Sequence, residues 1–305
     1  MHLKYSFAPS LILLLLAIDP VMAADKAELR RHTVMADGHP MALWEKSAAG
    51  ATEAILLVHG RTWSALPDFD LQVEGEDLSL MDGLVAEGFA VFAVDLRGYG
   101  ETPRDETEWL TPNRAADDVA IVIGWIAEAG KWQRKPHLFG WSRGSTIVQL
   151  MAQRRPGLVS SLTLFGYWLD PEAVIPADNA GLMPLKAENT AEAAASDFII
   201  PGSISPKAIE TYVNVSLAAD PIMVDLKNDD QYNVLDGSSI DVPTLIIHGE
   251  HDPIAPPEYQ AKLYMSLATG HKQWVTVPGG DHAAFMETPR DYFIHELVGF
   301  LRGVP

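Results

Sequence analysis

The sequence predicts an α/β chain: a mostly parallel central sheet flanked by helices, with an inserted helical cap. Three observations predict it. Short, uninterrupted apolar runs recur along the chain, each ending in a glycine-bearing or polar turn. Runs of that kind suit strands buried on both faces. The stretches between them carry apolar residues at helical spacing, and strand–helix alternation points to a parallel sheet covered by helices. One proline-bearing stretch, residues 170–241, contains no clean sheet strand and is too long for a bare loop in a compact domain.

The elements follow in order. Arg31–Ala36 and Met41–Glu45 form a pair of opening strands joined at Asp37-Gly38. Strands are expected at Ala54–Val58, Phe89–Val94, His137–Phe139, Leu162–Phe165, Thr244–Ile247 and Trp274–Val277. Helices are expected at Asp77–Glu87, with Leu78, Met81, Leu84 and Val85 on one face, and at Arg114–Glu128, with Val119, Val122, Ile123 and Ile126. Others follow Ser142 and cover Glu258–Leu267 and Arg290–Leu301. Within residues 170–241, Ala191–Phe198 and Lys207–Ser216 read as short helices of the cap. The domain plan is thus a core at 24–169 and 242–305, with the cap at 170–241.

Residues 1–23 read as a secretory signal. A short polar start with His2 and Lys4 precedes the apolar run Leu11–Ile18, and Val21-Met22-Ala23 offers residues of the kind a signal peptidase reads. The run is shorter than the roughly 20 residues needed to span a bilayer. The expectation is an exported, periplasmic or secreted protein.

Composition narrows the classes. Hydrophobic residues at 48% and charged residues at 21% exclude a disordered or collagen-like chain. With 41 acidic against 22 basic residues the formal net charge is −19, which repels nucleic-acid phosphates and anionic lipid, so neither is expected as a partner. The absence of cysteine excludes disulfides, thiol catalysis and thiolate metal sites.

The chemistry centres on Gly140-Trp141-Ser142-Arg143-Gly144, a G-x-S-x-G motif between an expected strand and an expected helix. In that context the serine sits on a sharp turn at the carboxyl edge of the sheet. A serine hydroxyl needs a base, and the base needs an orienting group. In this type of fold they follow in the order Ser, acid, His. His282, after the strand at Trp274–Val277, is the expected base. Asp252, after Thr244–Ile247, is the expected orienting acid, with Asp170 the main alternative. His251 adjoins Asp252 and is expected to point away. His248 is expected as a structural turn residue, and Glu250 and Asp281 as solvated groups. A metal site from His248, His251 and Asp252 lacks the helical H-E-x-x-H arrangement, so no metal or other cofactor is expected. A tetrahedral oxyanion needs two fixed N–H donors. The backbone N–H of Arg143 and that of Arg61, in the loop His59-Gly60-Arg61-Thr62-Trp63, are the candidates, with the His59 side chain left to bond loop backbone.

On these residues the sequence resembles the α/β-hydrolase superfamily. His59-Gly60, Asp95-Leu96-Arg97-Gly98-Tyr99-Gly100, Gly140-Trp141-Ser142-Arg143-Gly144, Asp252 and Gly280-Asp281-His282 fall in its order, covering about residues 30 to 302. A serine rather than an aspartate at the nucleophile position departs from the haloalkane dehalogenases and epoxide hydrolases. Within the superfamily, His59-Gly60-Arg61-Thr62-Trp63-Ser64, Asp68-Phe69-Asp70 and Trp141 make it similar to the serine-dependent macrolide esterases. That resemblance implies hydrolysis of a lactone and antibiotic resistance. Trp63, Trp141, Tyr167 and Trp168 are expected to line the substrate pocket, whose aromatic walls favour a bulky apolar ester, with Asp68, Asp70, Asp170 and Glu172 near its mouth. The alternatives are a generalist short-chain carboxylesterase, a C–C bond hydrolase or perhydrolase with the same three residues, and a non-catalytic binding protein.

Overall fold

The computed structural model describes residues 1–2, 27–178 and 183–305. Most of the expected signal segment lies outside the described residues. Among them, no helix is long and apolar enough to cross a membrane.

The chain opens with a hairpin of β1 (Arg30–Ala36) and β2 (His39–Ser47) and enters the sheet interior at β3 (Ala54–Val58). Then come α1 (Ala65–Phe69), α2 (Leu80–Ala86), β4 (Ala90–Val94), α3 (Pro112–Ala129) and β5 (His137–Trp141). Next are α4 (Arg143–Arg154) and β6 (Ser161–Phe165). The long connection after β6 holds α5 (Ala191–Ala195), α6 (Pro206–Ala219) and two 3₁₀ turns, Asp229–Val234 and Gly237–Ser239. The core closes with β7 (Thr244–Gly249), α7 (Pro257–Ser266), β8 (Lys272–Val277) and α8 (Arg290–Gly303).

The eight strands form one sheet in the order β1-β2-β4-β3-β5-β6-β7-β8. The two pairings made by β2 are antiparallel and all others parallel. The fold is that of the α/β hydrolases, as the sequence predicts. In β3, β4, β5 and β6 every residue is buried, which is why these strands read as continuous apolar runs. Successive side chains still go to opposite faces. Leu56, Val58, Phe92, Val94, Leu162 and Leu164 pack with α3 and α4 on one side. Ile55, Leu57, Val91, Ala93, Phe139 and Phe165 pack with α2 and α8 on the other.

Helix starts obey local chemistry. Ser79, Thr111, Thr190 and Ser205 each accept an N–H from three residues on, and proline occupies the first turn of α3 and α6. Several expected limits move. Helix α2 begins at Leu80 rather than Asp77, because Ser79 caps it; the second opening strand runs from His39 to Ser47; and β5 extends through Trp141. His248 is not a turn residue but lies within β7, where Trp274 Nε1–H donates to its Nδ1 at 3.1 Å.

Candidate active site

The turn from β5 into α4 is made by Ser142, whose backbone sits at φ 53°, ψ −122°. A non-glycine residue is rare there, and such strain persists only where its surroundings enforce it. They do so here. A Cβ on Gly144 would stand 2.3 Å from the carbonyl oxygen of Val58 and 2.5 Å from that of His59, so only glycine lets α4 approach the end of β3. A Cβ on Gly140 would meet the Gly144 carbonyl at 2.4 Å. The two glycines of the motif are therefore steric requirements of one tight contact. Ser142 N–H donates to Phe165 O at 2.9 Å, and Ser145 Oγ–H donates to Ser142 O at 2.5 Å, which holds the elbow from both sides.

His282 follows β8 and Asp252 follows β7. His282 Nδ1 lies 2.7 Å from Asp252 Oδ2. An ionised carboxylate only accepts, so Nδ1 carries the proton and Nε2 keeps a free lone pair. The other oxygen of Asp252 accepts from the N–H groups of Ile254, at 2.9 Å, and Ala255, at 3.1 Å. The Asp252 side chain is fully buried and that of His282 is 8% exposed, so the imidazole is the part of the pair that reaches solvent. Trp141 Nε1–H donates to the backbone carbonyl of His282 at 2.7 Å. Gly166, in the left-handed region at φ 59°, leaves no room for a Cβ against the imidazole, at 2.9 Å from Cε1.

Ser142 and His282 line one cleft of about 360 Å³ with Gly60, Arg61, Trp63, Asp68, Trp141, Arg143, Trp168 and Asp197. Arg143 opens α4, and the first N–H groups of a helix have no intrahelical acceptor. Its side chain turns away. The guanidinium makes a bidentate pair with Asp229, at 3.0 and 2.6 Å, and lies over the Tyr232 ring. Gly60 brings the preceding loop close enough for its own Cβ, were there one, to stand 3.3 Å from Ser142 Cβ. The Tyr99 hydroxyl donates to the Arg61 carbonyl and steadies that loop. His59 is fully buried, and its Nε2 accepts from Leu96 N–H at 3.1 Å. Nδ1 then carries the proton toward Gly60 O at 3.0 Å. Burial lowers its pKa to about 4, so it is a neutral bracket between loops, as the sequence reading has it.

Three expectations need correction. Tyr167 does not line the cleft. It is 1% exposed and packs in the core on the α3–α4 side of the sheet, while its neighbour Trp168 faces the cleft. Asp281 is not solvated. It is fully buried, accepting from Ile199 and Ile200 N–H at 2.9 and 3.0 Å and from Ala283 N–H at 2.9 Å. Of the acids expected at the mouth, Asp68 lines the cleft and the other three do not. Asp70 pairs with Lys46 at 2.6 Å, and Asp170 and Glu172 share Lys262 on the surface. That pairing engages Asp170, the alternative acid, away from the imidazole. Asp197 and Asp229, which the sequence reading missed, do line the cleft; their sequence neighbourhoods give no signal of it. Among the described residues, no cluster of three or more His, Asp or Glu could hold a metal ion.

The strand order, the strained serine between two obligatory glycines and the imidazole–carboxylate pair define a serine hydrolase of the α/β-hydrolase superfamily. The chain belongs to the family described as "Serine aminopeptidase, S33", which it matches over residues 51–289. In sequence it is similar to the AB hydrolase superfamily protein YisY of Bacillus subtilis, at 28% identity over 225 residues, 68% of this chain and 80% of that one. Its fold is shared with a thermophilic esterase from Thermogutta terrifontis, with a TM-score of 0.65 at 22% identity, covering 90% of this chain and 99% of that one. A serine hydrolase involved in carbazole degradation aligns with a TM-score of 0.63 at 19% identity, over 90% and 99% of the two chains.

Proposed function

We propose that the protein is a carboxylic-ester hydrolase working through an acyl-enzyme on Ser142. The observation that carries this reading is the 2.7 Å contact of His282 Nδ1 with Asp252, in a loop whose imidazole lines the same cleft as Ser142. With Nδ1–H committed to Asp252, Nε2 is left as a base on the side that shares the cleft with Ser142. In the first half-reaction His282 takes the Ser142 proton as the hydroxyl attacks the ester carbonyl. The backbone N–H groups of Arg61 and Arg143 receive the oxyanion, and His282 returns the proton to the departing alcohol. Water, deprotonated by the same imidazole, then releases the acid.

The substrate class follows from the walls. Trp63, Trp141 and Trp168 line the cleft together with Ser142, and such aromatic lining favours a bulky apolar ester. A cleft of about 360 Å³ holds a mid-sized group rather than a whole large ring. A macrolide lactone is thus proposed only as one bulky ester that could present its carbonyl there. The stretch between β6 and β7 acts as the cap over the cleft, and residues 1–23 act as an export signal. N-terminal sequencing of the mature protein checks that last point.

A panel of p-nitrophenyl esters, aminoacyl anilides and 14- to 16-membered macrolides, read by mass spectrometry for addition of one water, tests the reading. Ester turnover that disappears in Ser142→Ala, with fluorophosphonate labelling of the wild type at Ser142, is the expected result. Turnover of anilides alone would move the activity to amide hydrolysis, and undiminished turnover in the variant would remove Ser142 from the chemistry.

A further inference from the structure

A second group of side chains in the cleft takes no part in the proton transfers above. Asp68, on α1, is 1% exposed, yet it lines the cleft, and its Oδ2 has no hydrogen-bond partner among the described residues. Its Oδ1 lies 3.0 Å from the Tyr212 hydroxyl. The same hydroxyl lies 3.0 Å from Asp197 Oδ2, which also accepts from Trp63 Nε1–H at 2.8 Å. Two oxygen–oxygen contacts require two protons, and Tyr212 carries one. The other has to come from solvent and reside on a carboxyl.

We infer that Asp68, backed by Tyr212 and Asp197, is the receptor for an ammonium group carried by the substrate. Without substrate the cluster holds its second proton at Asp68, where burial and the facing Asp197 and Asp220 raise the carboxyl well above its usual range. An arriving ammonium ion replaces that proton. The Asp68 carboxyl releases H⁺ to solvent, and the resulting carboxylate takes an N–H bond from the ammonium on Oδ2; Tyr212, left with one proton for two carboxylates, donates to Asp68 Oδ1 and gives up its contact with Asp197, which keeps the Trp63 N–H, so charge and protons balance. A neutral hydroxyl would satisfy Oδ2 too, but it brings no charge to exchange. Trp63, Trp141 and Trp168 line the same cleft, and indole rings attract a cation. Of the cleft's own cations, Arg143 is paired with Asp229. The remaining groups near Asp68 are Tyr99 and the N–H of Gly60, with Arg61 and His282 farther along the cleft. The inference rests on the ester-hydrolase reading for the bond that is cut, but the binding step does not.

Calorimetric titration of the full chain with benzylammonium and with benzyl alcohol, in buffers of different ionisation enthalpy, tests the binding step. The expected result is about tenfold tighter binding of benzylammonium with proton release, and loss of both the preference and the release in Asp68→Asn. Equal affinity for the two probes, or an undiminished preference in Asp68→Asn, overturns the proposal. A wild type that prefers benzylammonium without releasing a proton overturns the exchange, and with it the cluster's assignment. The kcat/KM ratio of a dimethylaminoethyl ester to its 3-methylbutyl isostere is then expected to fall about tenfold in Asp68→Asn. If neither ester is turned over while benzylammonium is still preferred, the ester reading fails and the receptor stands.

Discussion

At Ser142 the backbone is held where a side chain is disfavoured, and the contacts that hold it are a few ångströms of glycine. Gly144→Ala is expected to cost about 3 kcal/mol or more, because its methyl would strike backbone carbonyls of β3 that cannot swing aside. Denaturant melts of the variant check this, and a loss within 0.5 kcal/mol would contradict the steric account. Asp252→Asn keeps the shape of the pair but removes the acceptor that fixes the proton on Nδ1. A fall in kcat of about 10³–10⁴ with little change in melting temperature is expected. At this scale the sequence was legible where local chemistry dictates position: the motif glycines, and Asp252 and His282, which follow strands and meet. It was not legible where neighbours diverge. Gly166 turns the chain at φ 59°, so that Tyr167 enters the core and Trp168 enters the cleft, and nothing in Gly-Tyr-Trp says which goes where. Asp281 reads as a loop acid because the N–H groups that bury it belong to Ile199 and Ile200, far away along the chain.

Among the elements, the interior strands and the long helices were legible from apolar runs and spacing, with ends displaced by caps such as Ser79. The five-residue α1 was missed, being shorter than two helical turns and carrying Pro67 and Asp68. So was the turn Asp229–Val234, which matters because it delivers Asp229 and Tyr232 to Arg143. The stretch after α5 is tied to the His282 loop by Asp281 and by Ser203, whose hydroxyl donates to Glu287 Oε1 at 2.6 Å. Burial and the facing Asp281 raise the Glu287 pKa from 4.5 to about 8. The folded state therefore binds the proton more tightly than the unfolded chain does. This stabilisation is complete below pH 4.5 and is lost as pH rises through 8. Wild-type melting temperature is thus expected to fall between pH 5 and 9 more steeply than that of Glu287→Gln, by at least about 2 °C. Parallel slopes in a pH series of thermal melts would remove this coupling.

Across the whole molecule, two apolar layers sandwich a sheet whose carboxyl edge holds the cleft, and a net charge of −19 spreads over the rest. The arrangement of the layers was legible because fully buried strands admit few alternatives. The position of Asp197 and Asp229 in the cleft was not, since it depends on how the β6–β7 connection folds back. Self-repulsion of the surface predicts that raising salt from 0.05 to 0.5 M at pH 8 increases the melting temperature by about 2–4 °C, and does so less at pH 4.5, where carboxylates are partly neutralised. A salt-independent melt at pH 8 would show that the charge is locally compensated.

One bond found in the cleft bears on all of this. The indole of Trp141, adjacent to the serine on β5, is hooked to the main chain of residue 282. Ser142 and His282, the proposed nucleophile and base, are thus gripped by a single clasp anchored in the sheet floor. The stretch after α5 is tied to the same loop through Asp281, so any pull it exerts on residue 282 is opposed by a bond rooted in the sheet.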